Sequence, residues 1–289
     1  MNPIQYAKYA RNEYSQFGED GILESILEKI QTRDCWCVEF GAWDGIHLSN
    51  TFNLIKNAGY RSLLIEADKN KFKVLQRNMA RYDAILVNKF VTLDGEDSLD
   101  NILGITNIPL NFDFLSIDID GNDYWIFKSL ERYRPKVICI EYNPTIPNEV
   151  EYIQQPDFSI NRGASALSIC KLAKEKSYEL VATTRCNLIF VDKCLFHLFS
   201  IDDNRLTTLR DDSDSRVFTY SGYDGTIMYS APVYLMWHDI RLGSDKIQGL
   251  PRVLRRFPPN FNFAQRVLFI AFRILIEPRR ALLKVFEKR

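Results

Sequence analysis

Neither charge sign is in excess, since 37 Lys and Arg balance 37 Asp and Glu. A neutral chain has no overall field to draw it to nucleic acid or acidic polymers, so neither is an expected partner and any charged ligand must be held locally. No apolar run reaches the roughly 18 residues that a membrane-spanning helix needs. Residues 1–20 carry charges but no apolar stretch able to form the core of a signal peptide. None of the six cysteines, Cys35, Cys37, Cys139, Cys170, Cys186 and Cys194, forms a C-x-x-C pair. They read as small buried thiols in a reducing compartment, and the expected location is cytoplasmic. A G-x-G-x-x-G turn is also missing, and with it the usual diphosphate cradle. There is no internal repeat or low-complexity tract.

The chain has 289 residues, 46% hydrophobic and 26% charged, enough to bury one large core with appendages. From about residue 35 to 192, apolar runs of strand length alternate with helix-period segments, the pattern of a parallel sheet with crossover helices. Strands are expected over 35–40, 61–66, 84–88, 112–118, 136–141, 178–183 and 187–191, and helices over 48–57, 69–81, 124–132 and 163–177. Only Thr184-Arg185-Cys186 joins the last two strands, too little for a parallel crossover, so that pair must be antiparallel. The predicted fold is α/β: a Rossmann-like, mostly parallel seven-stranded sheet with an antiparallel closing hairpin and helices on both faces. Residues 1–34 read as an N-terminal helical segment with a helix over 4–30, 35–200 as the core, 201–259 as an extension or lid, and 260–289 as a basic amphipathic helix.

Open α/β sheets bind ligands at the carboxyl ends of their strands, beside the point where strand order reverses. After the first strand, Gly41-Ala42-Trp43-Asp44-Gly45 permits a tight turn and close approach of backbone to a ligand. Glu39, just before it, can accept hydrogen bonds from an ammonium or from backbone amides. Glu66 ends the second strand, where a carboxylate suits the two hydroxyls of an unphosphorylated ribose. Asp68 could assist it, and Asn88 after the third strand could meet an adenine edge. A plain strand-to-helix turn would also explain the glycines, but it would not explain polar groups at several strand ends.

The fourth strand runs into Asp118-Ile119-Asp120-Gly121-Asn122-Asp123. Period-two alternation puts Asp118 and Asp120 on one side, a crowding that a cation, proton or donor must relieve. Asp123 reads as the N-cap of the following helix. Glu141 and Asn143 share a side at the end of the fifth strand, so Asp118, Glu141 and Asn143 make an all-oxygen set suited to magnesium or calcium.

Together these segments resemble the FkbM-type family of class I methyltransferases, over about residues 14–192. The carrying residues are Ser15-Gln16-Phe17-Gly18-Glu19-Asp20, Val38-Glu39-Phe40-Gly41-Ala42-Trp43-Asp44-Gly45, Leu48-Ser49-Asn50-Thr51, Ile65-Glu66 and Ser116-Ile117-Asp118-Ile119-Asp120-Gly121-Asn122-Asp123. Ser116 stands where many members carry Lys, and Asp120 where many carry Glu. The resemblance implies a class I methyltransferase fold, with S-adenosylmethionine as cofactor. Glu39, Gly41 and Asp44 would lie around its methionine part and Glu66 on its ribose. The implied reaction is O-methylation, commonly of a sugar or polyketide hydroxyl, here taken as a sugar, glycan or related metabolite of polysaccharide biosynthesis. Asp118, Asp120 and Glu141 are candidate general bases, with His47 and His238 as rivals. The competing readings are a scaffold that binds the cofactor or a glycan without catalysis, and an NAD-dependent oxidoreductase, which the missing diphosphate turn and the closing hairpin disfavour.

Toward the C-terminus Arg266, Arg273 and Arg280 recur every seven residues, holding one helical face in a Phe- and Leu-rich stretch that Pro278 would kink. Such a helix suits either the inner face of a membrane with anionic lipid or a protein surface, including a second copy of the chain.

Overall fold

Five parallel strands carry the first part of the chain: β1 (Trp36–Phe40), β2 (Arg61–Ile65), β3 (Ala84–Val87), β4 (Phe114–Ile117) and β5 (Val137–Glu141). They are followed by β6 (Tyr178–Thr183) and β7 (Asn187–Asp192). In the computed structural model, which describes residues 6–31 and 33–278, these form one sheet in the order β3-β2-β1-β4-β5-β7-β6. β7 runs antiparallel to both neighbours, β5 and β6, as the short turn requires. That turn is closed by Thr184 N–H donating to Asn187 C=O at 2.8 Å.

Alternation along each strand splits the core between two faces. Val38, Leu63, Leu115, Ile138 and Phe190 point to one face, where they meet α4 (Leu99–Gly104), α5 (Asp123–Ser129) and α6 (Ala166–Glu175). Cys37, Leu64, Phe114, Cys139 and Ile189 point to the other, against α1 (Glu19–Lys29), α2 (Phe52–Ala58) and α3 (Lys69–Met79). Because both faces are covered, the central strands read as unbroken apolar runs. At the amino ends of the strands, Asp113 is fully buried. Its carboxylate accepts from Cys35 N–H at 2.9 Å and from Lys136 Nζ at 2.7 Å, while Lys136 also reaches Asp34 at 2.9 Å.

The helix expected over 4–30 is shorter. Residues 4 and 5 lie outside the described residues, Ala7–Tyr9 makes one 3-10 turn, and α1 starts at Glu19. Asp20 is the reason: one carboxylate oxygen gathers the N–H groups of Glu13, Tyr14 and Ser15 at 2.7–2.8 Å, bending that segment into a loop. Gly18, at φ +97°, makes the corner. Glu19 is buried and ties α1 to the closing hairpin, accepting from Thr184 Oγ1 at 2.6 Å and Asn187 Nδ2 at 3.0 Å. Cys37, Cys139 and Cys186 are buried as free thiols, Cys35 and Cys170 are half-buried, and Cys194 is exposed.

The chain divides into two compact units, Met1–Ser215 and Arg216–Arg289. Residues 201–215 therefore fall in the first unit. There α7 (Leu206–Leu209) leads to Arg210, whose buried guanidinium holds the loop after β5 through Pro144 C=O, Ile146 C=O and Asn148 Oδ1. The second unit contains two short antiparallel pairs, β8 (Thr219–Ser221) with β9 (Ile227–Tyr229) and β10 (Val233–Leu235) with β11 (Ile240–Leu242). It continues into α8 (Phe263–Ile276). Residues 279–289, including Arg280, lie outside the described residues.

Candidate functional site

Strand order reverses between β1 and β4, and the residues at the carboxyl ends of the strands converge there. Gly41 adopts φ +75°, and a Cβ built on it would stand 2.3 Å from the carbonyl oxygen of Asp118. The first loop and the end of β4 thus touch at the reversal point, and a glycine is what lets them.

Three carboxylates shape the loop after β1. Glu66, buried at the end of β2, accepts Trp43 N–H at 2.9 Å on one oxygen and Asp68 N–H at 2.7 Å on the other. Asp44 Oδ1 accepts from Ile46 N–H at 2.9 Å and His47 N–H at 2.8 Å. Glu39 Oε1 takes Asn50 N–H at 2.9 Å, while Oε2 takes the hydroxyls of Ser49 and Thr51, each at 2.7 Å. Burial raises the Glu39 pKa, and these three donors pull it back part of the way. Asn50 Nδ2 crosses to Ser116 Oγ at 3.1 Å, joining the loop to β4. Residues 49–51 are occupied in this way and Leu48 turns to φ +57°, so α2 begins at Phe52 rather than at residue 48.

Of the other expected ligand-binding residues, Ala42 is buried and Gly45, at φ +76°, packs its backbone against Leu75 and Met79 of α3. Asn88 Nδ2 donates to the carbonyl of Glu66 at 2.7 Å, placing it beside the end of β2. Asp68, expected to assist Glu66, has a further role. Its exposed carboxylate caps α3, accepting from Asn70 and Lys71 N–H, and these donors hold its pKa low. Trp43, not singled out from the sequence, sits in the loop at φ +48° and is 45% exposed, with Lys71 Nζ 5.0 Å from its ring centroid and His47 edge-on at 5.5 Å. His47 is exposed, and His238 is exposed in the second unit.

On the other side of the reversal, Asp118, Asp120 and Glu141 bring carboxylate oxygens within 4.8 Å of one another. β4 ends at Ile117 and Asp120 turns to φ +57°, so the convergence comes from a turn rather than from strand alternation. Burial, followed by the charges of neighbouring carboxylates, raises Asp118 and Glu141 well above the usual carboxylate range. Asn143 is not part of this cluster. Its Oδ1 accepts from Thr145 N–H at 2.9 Å and from Thr145 Oγ1 at 2.6 Å, and its Nδ2 donates to Arg162 C=O. Of the expected trio, Asp118 and Glu141 are brought together with Asp120 beside them, while the Asn143 oxygen is engaged by Thr145. Asp123 does not cap α5, whose N-cap is Asn122. Instead its buried carboxylate accepts the N–H groups of Ile119 and Gly121, both at 2.9 Å, holding the turn that carries Asp120. Burial raises its pKa to about 6.

The sheet order, with β7 alone reversed, is that of the Rossmann-like class I methyltransferase fold, and the polar strand ends gather at the reversal of strand order, where open α/β sheets in general bind ligands. No protein-family model matches the chain, and no curated protein matches it. Among solved structures, an S-adenosylmethionine-dependent methyltransferase from Aquifex aeolicus is 11% identical over 66% of this chain and 97% of its own, with a TM-score of 0.36. An O-methyltransferase from Bacillus cereus, in complex with S-adenosylhomocysteine, is 19% identical over 65% and 86% with a TM-score of 0.42. An S-adenosylmethionine-dependent methyltransferase from Clostridium acetobutylicum is 12% identical over 60% and 90% with a TM-score of 0.38.

Proposed function

We propose that the first unit is an S-adenosylmethionine-dependent O-methyltransferase whose acceptor is a hydroxyl of a sugar, glycan or related metabolite, as the likeness to FkbM-type enzymes implies. The observation that carries this reading is the contact of Gly41 with the Asp118 carbonyl at the strand-order reversal. It sets the glycine loop and Glu66 on one side and three clustered carboxylates on the other.

Glu66 fits a ribose. Each of its oxygens accepts one backbone N–H, and an ionised carboxylate has about four acceptor sites, which leaves room for two hydroxyls. Asn88, beside it, would meet the adenine edge, and Glu39, Gly41 and Asp44 would surround the methionine part, with Ala42 and Gly45 completing the loop. S-adenosylmethionine supplies a methyl group on a sulfonium, activated for attack. The residues of this chain do the positioning, which supplies much of the rate when acceptor and methyl are held in line. With the cofactor bound, the acceptor oxygen would take the methyl group as the carbon–sulfur bond breaks, and S-adenosylhomocysteine would be the leaving group. The hydroxyl proton passes to Asp118 or Glu141, with Asp120 beside them. Burial and the neighbouring carboxylates raise both pKa values, which makes either group the stronger base when ionised.

The same three carboxylates suit a hard cation. Their donors are all oxygen, and their mutual repulsion is relieved by magnesium or calcium as well as by a shared proton. A cation held there would lower the pKa of the acceptor hydroxyl.

Calorimetric titration with S-adenosylmethionine and with NAD tests the cofactor, and NAD binding alone would overturn the proposal. Methyl-labelled cofactor incubated with a glycan panel, with and without EDTA, tests the acceptor and the cation. Cofactor binding with no transfer to any hydroxyl acceptor would favour a non-catalytic scaffold.

A further inference from the structure

We infer that α8 of the second unit is a docking surface for an anionic lipid bilayer, on which the helix lies in the plane of the interface. This inference is independent of the proposed catalysis and rests on residues of the second unit alone. The helix is well started: Asn262 Oδ1 accepts Gln265 N–H at 2.9 Å and Gln265 Oε1 accepts Asn262 N–H at 3.1 Å, a complete capping box. Its inward side is set by Gln265, whose Nε2 donates to Val253 C=O at 3.0 Å, and by Phe269, whose ring packs on Phe261 at 5.5 Å. The opposite side is apolar and uncovered. Phe263, Val267, Ile270 and Ile274, spaced to share one helical stripe, are 52–83% exposed, and Leu268 and Leu275 widen it. A continuous apolar patch of this kind on a water-facing helix marks an interaction surface.

Charge selects the occupant. Residues 252–289 contain ten Lys and Arg against two Glu, in a chain whose total charge is zero, so the remainder is acidic and positive charge is concentrated in this part of the sequence. Arg252 and Arg256 are exposed next to the helix start, and Arg266 and Arg273 follow within it. An apolar stripe flanked by arginines and free of acidic residues over Phe263–Ile276 matches the headgroup and acyl layers of an anionic leaflet. The helix has 14 residues and is about 21 Å long, short of the roughly 30 Å hydrocarbon core, so it lies on the bilayer instead of spanning it. Among the described residues no helix is long and apolar enough to cross a membrane.

The experiment is flotation of the full chain with vesicles of phosphatidylcholine alone or mixed three to one with phosphatidylglycerol. The chain is expected to float with the mixed vesicles, to float less with the neutral ones, and to be released by high salt. The double variant Ile270→Glu/Ile274→Glu should lower the bound fraction at least about tenfold, because two side chains no longer enter the acyl boundary. Both positions are exposed, so the circular dichroism and S-adenosylmethionine titration of the variant should match those of the parent. A parent chain that stays unbound with mixed vesicles, or a variant that floats equally well, overturns the inference. So does a concentration-dependent dimer that the double variant abolishes without any flotation, which would assign the face to a second copy of the chain.

Discussion

Replacing Gly41 by alanine separates two costs that the structure keeps distinct. The first is conformational: a side chain at φ +75° pays about 1–2 kcal/mol for the left-handed region. The second is steric, since the new Cβ would stand 2.3 Å from the Asp118 carbonyl oxygen and 3.4 Å from Ile119 Cγ2, and neither the loop nor the end of β4 can yield without the other. Gly59→Ala isolates the first cost, because Gly59 has φ +69° and nothing lies within 4 Å of the point its Cβ would occupy. Gly59→Ala should therefore lose about 1–2 kcal/mol, lowering Tm by about 2–8 °C for a unit of this size. Gly41→Ala should lose at least about 1 kcal/mol more, by analogy with other overpacked sites, and should also weaken S-adenosylmethionine binding at least about tenfold, which Gly59→Ala should not. Paired thermal melts and calorimetric titrations read both effects. If Gly41→Ala melts and binds like Gly59→Ala, the contact between loop and strand does not shape the site, and the reasoning fails.

Glu66→Gln removes the charge behind the proposed ribose contacts and should weaken cofactor binding by about 10- to 100-fold in calorimetry, with little change in secondary structure. Lys136→Met strands the buried Asp113 carboxylate on its amide partners and should cost about 3–5 kcal/mol in urea unfolding. Burial lowers the Lys136 pKa, but its bonds to Asp113 and Asp34 outweigh that and raise it. Its contribution is therefore present below the unfolded value of about 10.4 and is lost as pH climbs through the higher folded value. A denaturation series from pH 8 to 11 should show that alkaline loss in the parent and not in the variant. Asp118, Glu141 and Asp123, the last raised to about 6, bind protons more tightly folded than unfolded. With EDTA present, Tm should fall as pH rises from 5 to 8, and magnesium or calcium should restore it at pH 8 in the parent but not in Asp118→Asn. Equal melting with and without divalent ions would remove the cation from the site.

Strands were the most legible feature. A parallel strand covered on both faces reads as a plain apolar run, and β1, β2, β3, β5, β6 and β7 start and end within a residue of the expected bounds. The reversed β7 followed from turn length alone. Side chains that bind backbone were not legible, because periodicity carries no trace of them. Asp20 unwinds residues 13–15, Glu39 delays α2, and Asp123 serves a turn rather than a cap. The helix α4, only 6 residues long, is too short to show a period. At the acidic cluster, alternation was extended past the true ends of β4 and β5, which placed Asn143 where the turn through Asp120 belongs.

The bond from Glu19 to Thr184 spans 165 residues of sequence, and it orders events during synthesis. α1 leaves the ribosome before the sheet does, yet part of the apolar surface it shares, Val181, Ile189 and Val191, belongs to the last two strands. β6 and β7, joined by Thr184-Arg185-Cys186 alone, then close the sheet at the β5 edge. At a translation rate of about 5–20 residues per second, the nascent chain waits roughly 10–30 s with its first helix uncovered by its final partners. The interval is one in which a chaperone would find the chain.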